Sequence, residues 1–245
     1  MRVKMIVAYD GTNYCGWQIQ PNGITIEQVL NEHLSRLLKE DIKVTGASRT
    51  DAGVHSLGNV CMFDTNTRMP AEKISYALNQ KLPEDIVVVD SCEVSDDFHP
   101  RFSKSRKTYE YRITCGQFPI PTKRLYSCFT DYRLDVERMR AAAAYLVGEH
   151  DFKSFCAAAA VVESTVRTIY GITVEEQQGD IVIRVCGGGF LYNMVRIIAG
   201  TLMEVGRGHR EPEQVAEILE RRDRAAAGMT APACGLMLVK YEFMP

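Results

Sequence analysis

The order of elements along the chain predicts an α+β protein of two halves, each an antiparallel sheet with helices packed on it. Two observations carry this. The first hundred residues read strand, helix, strand, strand, helix, strand, the order of a ferredoxin-like half. After a polar, basic crossing at Ser95–Lys107, strands and helices recur without visible sequence repetition. The expected halves are residues 1–105 and 106–245. A chain of 245 residues, 46% hydrophobic and 24% charged, is ordinary for one large folded domain or two medium ones.

Each element has a local reason. Met1–Val7 is a first strand whose apolar run is broken by Lys4, which argues against a secretory signal. Asp10–Gly23 is rich in turn formers and carries the single tryptophan, Trp17, either as a buried brace or as a wall of an active site. Thr25-x-x-Gln28 is a capping box, and the helix it opens places Ile26, Val29, Leu30, Leu34, Leu37 and Leu38 on one face. Ile42–Thr45 and Gly58–Phe63 read as strands. Pro70 opens a helix that turns Ile74, Ala77 and Leu78 inward, and Ile86–Asp90 is a β-branched strand.

In the second half Thr108–Thr114 alternates, with Tyr109, Tyr111 and Ile113 on one face and Glu110 and Arg112 on the other. Such tyrosines serve equally as a stacking platform for nucleobases or as core residues. Asp135–Val147 reads as a helix closed by Gly148, and Val166–Glu175 with Asp180–Cys186 as a hairpin turning at Gln177–Gly179. A helix burying Leu191, Met194, Val195, Ile198 and Leu202 follows. Another runs from Glu211-Pro212 through Leu219, and Leu236–Phe243 is the last strand.

Composition excludes several classes. Cys156–Val162, the longest apolar run, is far too short to span a membrane, and the protein is expected in the cytoplasm. Eight cysteines contain no C-x-x-C pair and are expected as reduced core thiols. Glu149-His150-Asp151 does not make a metal site, because sequence neighbours converge on one ion only where the backbone turns sharply. The triple glycine at 187–189 lacks the dinucleotide spacing, and no phosphate-binding loop motif occurs. Although the net charge is −2, residues 101–140 hold ten basic side chains against four acidic ones, a local +6. A second cluster comprises Arg207, Arg210, Arg221, Arg222 and Arg224. Patches of this kind hold phosphates or line solvated faces.

The chemistry centres on the loop Gly46–His55 between two strands. Its small residues let a substrate approach the backbone, and only Arg49, Asp51 and His55 can do acid, base or nucleophilic work. An arginine two residues before Asp51 favours the ionised carboxylate, which then acts as a nucleophile or an electrostatic stabiliser. The competing reading is an Asx-turn with Arg49 in a surface ion pair. Arg196, beside the apolar stripe of its helix, needs a partner for its charge, and Asp51 is a natural candidate.

Taken together, Tyr9-Asp10-Gly11, Gly16-Trp17-Gln18, Arg49-Thr50-Asp51-Ala52-Gly53-Val54-His55, Arg101-Phe102-Ser103, Lys107-Thr108-Tyr109-Glu110-Tyr111, His150-Asp151-Phe152, Val166-Arg167-Thr168-Ile169, Gly189–Arg196 and Pro232-Ala233-x-Gly235-Leu236 resemble the tRNA pseudouridine synthase A family, in its order and over nearly the whole chain. One position departs: Ser48 stands where this family often has glycine.

The resemblance implies the pseudouridine-synthase fold, two ferredoxin-like halves joined around a central cleft. It implies isomerisation of uridine to pseudouridine in the tRNA anticodon stem and loop, at tRNA positions 38 to 40, by a homodimer with no cofactor and no metal. Carried over by motif, Asp51 is the nucleophile, Tyr109 the ring stacked on the uracil, and Arg49 and Arg196 the basic residues around the carboxylate. The rival readings are an RNA-binding module without chemistry, in which Asp51 only orients Arg49, and a thiol hydrolase using Cys61 with His55.

Overall fold

The computed structural model describes residues 1–158 and 162–244, so the apolar run Cys156–Val162 lies partly outside the described residues. Among the described residues no helix is long and apolar enough to cross a membrane. The chain divides into two compact units, Met1–Ser105 together with the residues from Leu238 onward, and Arg106–Met237.

In the first unit β1 (Arg2–Tyr9) alternates, burying Val3, Met5, Val7 and Tyr9. It pairs antiparallel with β3 (His55–Asp64) on one side and with β4 (Ile86–Val94) on the other. Helices α1 (Ile26–Leu38) and α2 (Ala71–Asn79) put Ile26, Leu30, Leu34, Ile74 and Leu78 into the same core as β1, Phe63 and Val88, as a period of 3.6 laid over a period of 2 requires. Only half of the capping box forms: Thr25 Oγ1 accepts from Gln28 N–H at 3.3 Å, while the Gln28 amide donates to Glu32.

The expected strand Ile42–Thr45 shrinks to β2 (Thr45–Gly46). Ile42 and Val44 are buried, but their N–H groups donate to Ser35 Oγ and Asn31 Oδ1 of α1, at 2.9 and 2.8 Å, instead of to a neighbouring strand. Because β2 covers only Met62 and Cys61 of β3, the rest of that edge is open to another strand. In the strand order β4-β1-β3-β10, β10 (Leu236–Phe243) takes that place. The expected C-terminal half, 106–245, is therefore corrected: from Leu238 onward the chain belongs to the first unit.

The second unit has the strand order β5-β9-β8, closed by β7, and every pairing along it is antiparallel. Here β5 is Ser105–Cys115, β7 Gly148–Asp151, β8 Val166–Gln177 and β9 Asp180–Gly187, with β6 (Cys128–Thr130) parallel to β5. The β8–β9 turn has both Gln178 and Gly179 at positive φ, 53° and 81°, the handedness a two-residue hairpin needs. Helix α3 (Val136–Ala144) is capped by Asp135, whose carboxylate accepts from Arg138 N–H at 3.0 Å. It ends at Ala144; Gly148, expected as its cap, instead starts β7 with φ +115°. Helix α4 (Met194–Gly206) is buried nearly all round, and α5 (Gln214–Arg221) shows the core only Val215, Ile218 and Leu219.

On β5, Tyr109, Tyr111 and Ile113 are buried as the alternation required. Glu110 and Arg112 join a network: Arg112 pairs with Glu110 at 2.6 Å and Asp180 at 3.5 Å, Lys123 meets Asp180 at 2.7 Å, and Arg184 meets Glu110 at 3.0 Å. The cysteines are unpaired as disulfides; Cys61, Cys128 and Cys156 are buried, and the other five are half-buried rather than in the core.

Candidate active site

The Asp51 loop begins where the sheet runs out. Thr45 and Gly46 pair with Met62 and Cys61, Ala47 N–H reaches the Val60 carbonyl at 2.7 Å, and then the ladder stops. The side chain of Asn59 takes over: its Oδ1 accepts from Ser48 N–H at 3.2 Å and its Nδ2 donates to the Ser48 carbonyl at 2.9 Å. A buried amide thus stands in for one strand residue and lets the chain leave the sheet with its backbone groups satisfied. Ser48 is buried and not at positive φ, so serine occupies this position without backbone strain.

Beyond Ser48 the loop rests on the Asp10–Trp17 segment. Tyr9 Oη and Thr50 Oγ1 are 2.9 Å apart, Trp17 N–H donates to the Thr50 carbonyl at 3.1 Å, and Gly53 N–H donates to the Tyr14 carbonyl at 3.2 Å. Burial pushes the Tyr9 phenol well above its ordinary range, so it keeps the proton it shares with Thr50. The approach is close enough to demand glycine. A Cβ on Gly11 would lie 2.0 Å from the Val54 carbonyl oxygen, and one on Gly16, at φ +84°, 2.4 Å from that of Thr50. Trp17 is fully buried against Gly46 and is a brace, which resolves the two readings of the sequence.

Asp51 is half-buried, and its own carbonyl accepts from Val54 N–H at 3.2 Å. Arg49 is exposed and makes no ion pair among the described residues. Anchoring of Thr50 on Tyr9 and Trp17 turns that residue inward and leaves Arg49 facing solvent, available to a phosphate. His55 is buried, with Nδ1 at 3.1 Å from both Gly11 N–H and an Asp10 carboxylate oxygen. It is built into the brace. Cys61 is fully buried in β3 and burial drives its thiol far up, so the thiol-hydrolase reading has no nucleophile.

Tyr109 and Arg196 belong to the second unit. Tyr109, buried on β5 opposite Val185, meets Phe190 edge-on at 5.2 Å and 87°. Arg196 lies in the first turn of α4, its Nε donating to the Ala231 carbonyl at 2.7 Å and its Nη1 to Asn193 Oδ1 at 2.9 Å, while Ala231 N–H returns to the Arg196 carbonyl at 3.1 Å. Asn193 sits at φ 60° before the helix and, instead of capping it, orients this guanidinium. Reading the sequence did not single out Asn59, Phe190 or Asn193. For Asn59 the available signal was an asparagine inside the apolar run of β3; Phe190 and Asn193 lie within the motif Gly189–Arg196.

The basic segments are less open than their charge suggests. Within 101–140, Arg112, Lys123, Arg138 and Arg140 are in ion pairs. In the second cluster Arg222 pairs with Asp151, Arg210 with Glu204, and Arg207 lies over the Tyr132 ring at 4.2 Å. Arg101, Lys104, Arg106, Arg124 and Arg133 are exposed.

The family model described as tRNA pseudouridine synthase matches residues 5–103 and 142–244. A protein of Thermoanaerobacter sp. (strain X514) is 49% identical over 241 residues, covering 98% of this chain and 99% of that one. A protein of Exiguobacterium sp. (strain ATCC BAA-1283 / AT1b) is 48% identical with 98% of each covered, and one of Geotalea uraniireducens (strain Rf4) 46% identical with 99% of each covered. All three are named tRNA pseudouridine synthase A.

Proposed function

The chain belongs to the tRNA pseudouridine synthase family, and from that premise we propose that it isomerises uridine to pseudouridine in the anticodon stem and loop of tRNA, at tRNA positions 38 to 40, with Asp51 as its nucleophile. The observation that carries this reading is the Asp51 loop: a half-buried carboxylate on a backbone braced by Asn59, Tyr9 and Trp17, beside an outward guanidinium, Arg49. A rigid support of this kind suits a group that must meet one carbon atom.

The N1–C1′ bond of the target nucleoside breaks, its electron pair leaving with the uracil, and an Asp51 oxygen bonds C1′. The detached ring turns so that C5 faces the sugar, C5 displaces the carboxylate from C1′, and the proton on C5 is lost while N1 gains one. Atoms and charge balance without a cofactor or a metal. In this reading Tyr109 stacks on the uracil, Arg49 holds a backbone phosphate, and Arg196, its guanidinium oriented by Asn193 and Ala231, is the second basic residue that the resemblance implies. The target base leaves its stack for this, at a cost of a few kcal/mol. The working form is a cytoplasmic homodimer.

The test is tritium release from 5-labelled uridine in tRNA. Wild type releases it; Asp51→Asn binds tRNA with unchanged affinity and releases none. Release persisting in the variant removes Asp51 from the chemistry, and no release from wild type leaves the RNA-binding module as the function.

A further inference from the structure

We propose that His99 and Phe102 form a preorganised stacking platform for an unpaired base of the RNA substrate, tied through Arg101 to the root of the Asp51 loop; the inference rests on the tRNA-modification reading. Phe102 is 84% exposed, the most exposed large apolar side chain among the described residues, and its ring lies on that of His99 at 4.2 Å and 24°. One face of the phenylalanine ring is held against His99, and its high exposure leaves the other face to solvent.

The turn beneath it is rigid. The His99 carbonyl accepts from Phe102 N–H at 3.2 Å, Ser103 N–H at 3.1 Å and Ser103 Oγ at 3.0 Å, and Arg101 N–H donates to His99 Nδ1 at 3.2 Å, which fixes the imidazole plane. From behind, Tyr241 Oη donates to the Pro100 carbonyl at 2.9 Å, Arg2 Nη1 donates to the Phe98 carbonyl at 3.1 Å, and Phe98 packs edge-on against Phe243 at 5.3 Å. Arg101 Nε donates to the Gly46 carbonyl at 2.8 Å, two residues before Ser48 enters the Asn59 clamp. Arg101 thus ties the turn that carries the two rings to the start of the Asp51 loop.

The occupant is a nucleobase rather than an apolar protein side chain. A flat ring open on one face matches a base, and its surroundings carry positive charge for a phosphate: Arg101 and Lys104 are exposed, and no acidic residue lies between Phe98 and Lys107. Of the acids just before the turn, Asp97 is turned onto Ser95.

Three variants of the full chain test this with 5-labelled tRNA: Phe102→Ala, Phe102→Leu and Phe102→Trp. Loss of one stacked base predicts a rise in KM and Kd of about 10- to 100-fold for alanine and leucine alike, with a much smaller change in kcat. The Phe102→Trp variant restores affinity, and the fluorescence of its introduced indole is quenched by saturating tRNA; the native Trp17 is fully buried and stays constant. Thermal melts unchanged from wild type exclude a folding defect. Alanine and leucine variants with wild-type KM, or an introduced indole that tRNA leaves unquenched, overturn the platform while leaving the enzyme assignment intact. A wild type inactive on tRNA overturns the assignment itself. A variant that alters sedimentation with concentration but not KM places the ring in a protein interface and also overturns the proposal.

Discussion

Gly16 offers the sharpest test of how the Asp51 loop is held. At φ +84° it occupies a conformation that costs an alanine about 1 kcal/mol. The methyl group would also sit 2.4 Å from the Thr50 carbonyl oxygen, 3.1 Å from the Asp51 carbonyl carbon and 3.2 Å from Ala52 N, where ordinary contact starts at 3.4 Å. The strand of loop carrying Asp51 must therefore retreat by about 1 Å. Gly179 is the matched control: its φ is +81°, so the strain is the same, but nothing lies within 4 Å of the added carbon. Gly179→Ala is expected to lose about 1 kcal/mol, a fall of roughly 2–4 °C in Tm, and Gly16→Ala more, because the overpacking adds about 1–3 kcal/mol. Only Gly16→Ala is expected to lose activity, by about 100-fold in kcat for tritium release at saturating tRNA, because a displacement near 1 Å at a reacting group costs about that factor. This corresponds to about 2.7 kcal/mol of barrier. Gly16→Ala turning over at the wild-type rate, or falling no further than Gly179→Ala, refutes the claim that this glycine positions the carboxylate.

The other expectations are shorter. Tyr109→Phe keeps the ring and its edge-on packing against Phe190 and retains most of wild-type kcat/KM, whereas Tyr109→Leu loses about 10-fold or more; equal activity in the two removes the ring from substrate contact. Asp180 tests electrostatics in the second unit. Burial works against its charge, yet hydrogen bonds from Lys123 and Thr114 and the nearby Arg112 outweigh it and hold the carboxyl below its ordinary value. With the folded-state value lowered, the stabilisation is present above the unfolded value, near pH 4, and is lost as pH falls through the folded one. Asp180→Asn should then cost about 2–4 kcal/mol in urea melts at pH 7 and progressively less below about pH 4; a gap independent of pH contradicts this account.

Local periodicity was enough to read most of the elements. The alternation of Val3, Met5, Val7 and Tyr9, the apolar face of α1 and the last strand Leu236–Phe243 are each written in a few neighbouring residues, and the structure places them accordingly. The motif Arg49-Thr50-Asp51 likewise marked the loop that the structure braces with Asn59, Tyr9 and Trp17. What misled was pairing over distance. Ile42 and Val44 have strand chemistry, but Ser35 and Asn31 of α1 take their N–H groups, so the strand shortens and its edge passes to β10 from the far end of the chain. Arg112, Lys123, Arg138 and Arg140 looked like phosphate ligands until carboxylates remote in sequence claimed most of them.

The sequence by itself thus determined most of the strands and helices, which depend on side chains within one turn or one pleat, and through the order of its motifs the carboxylate proposed to carry the chemistry. Only the tertiary structure decided where β10 returns, that Asn59 replaces a rung of the ladder beneath Ser48, and that Arg112, Lys123 and Arg138 are held by carboxylates, because hydrogen bonds and ion pairs between residues distant in the chain leave no local pattern.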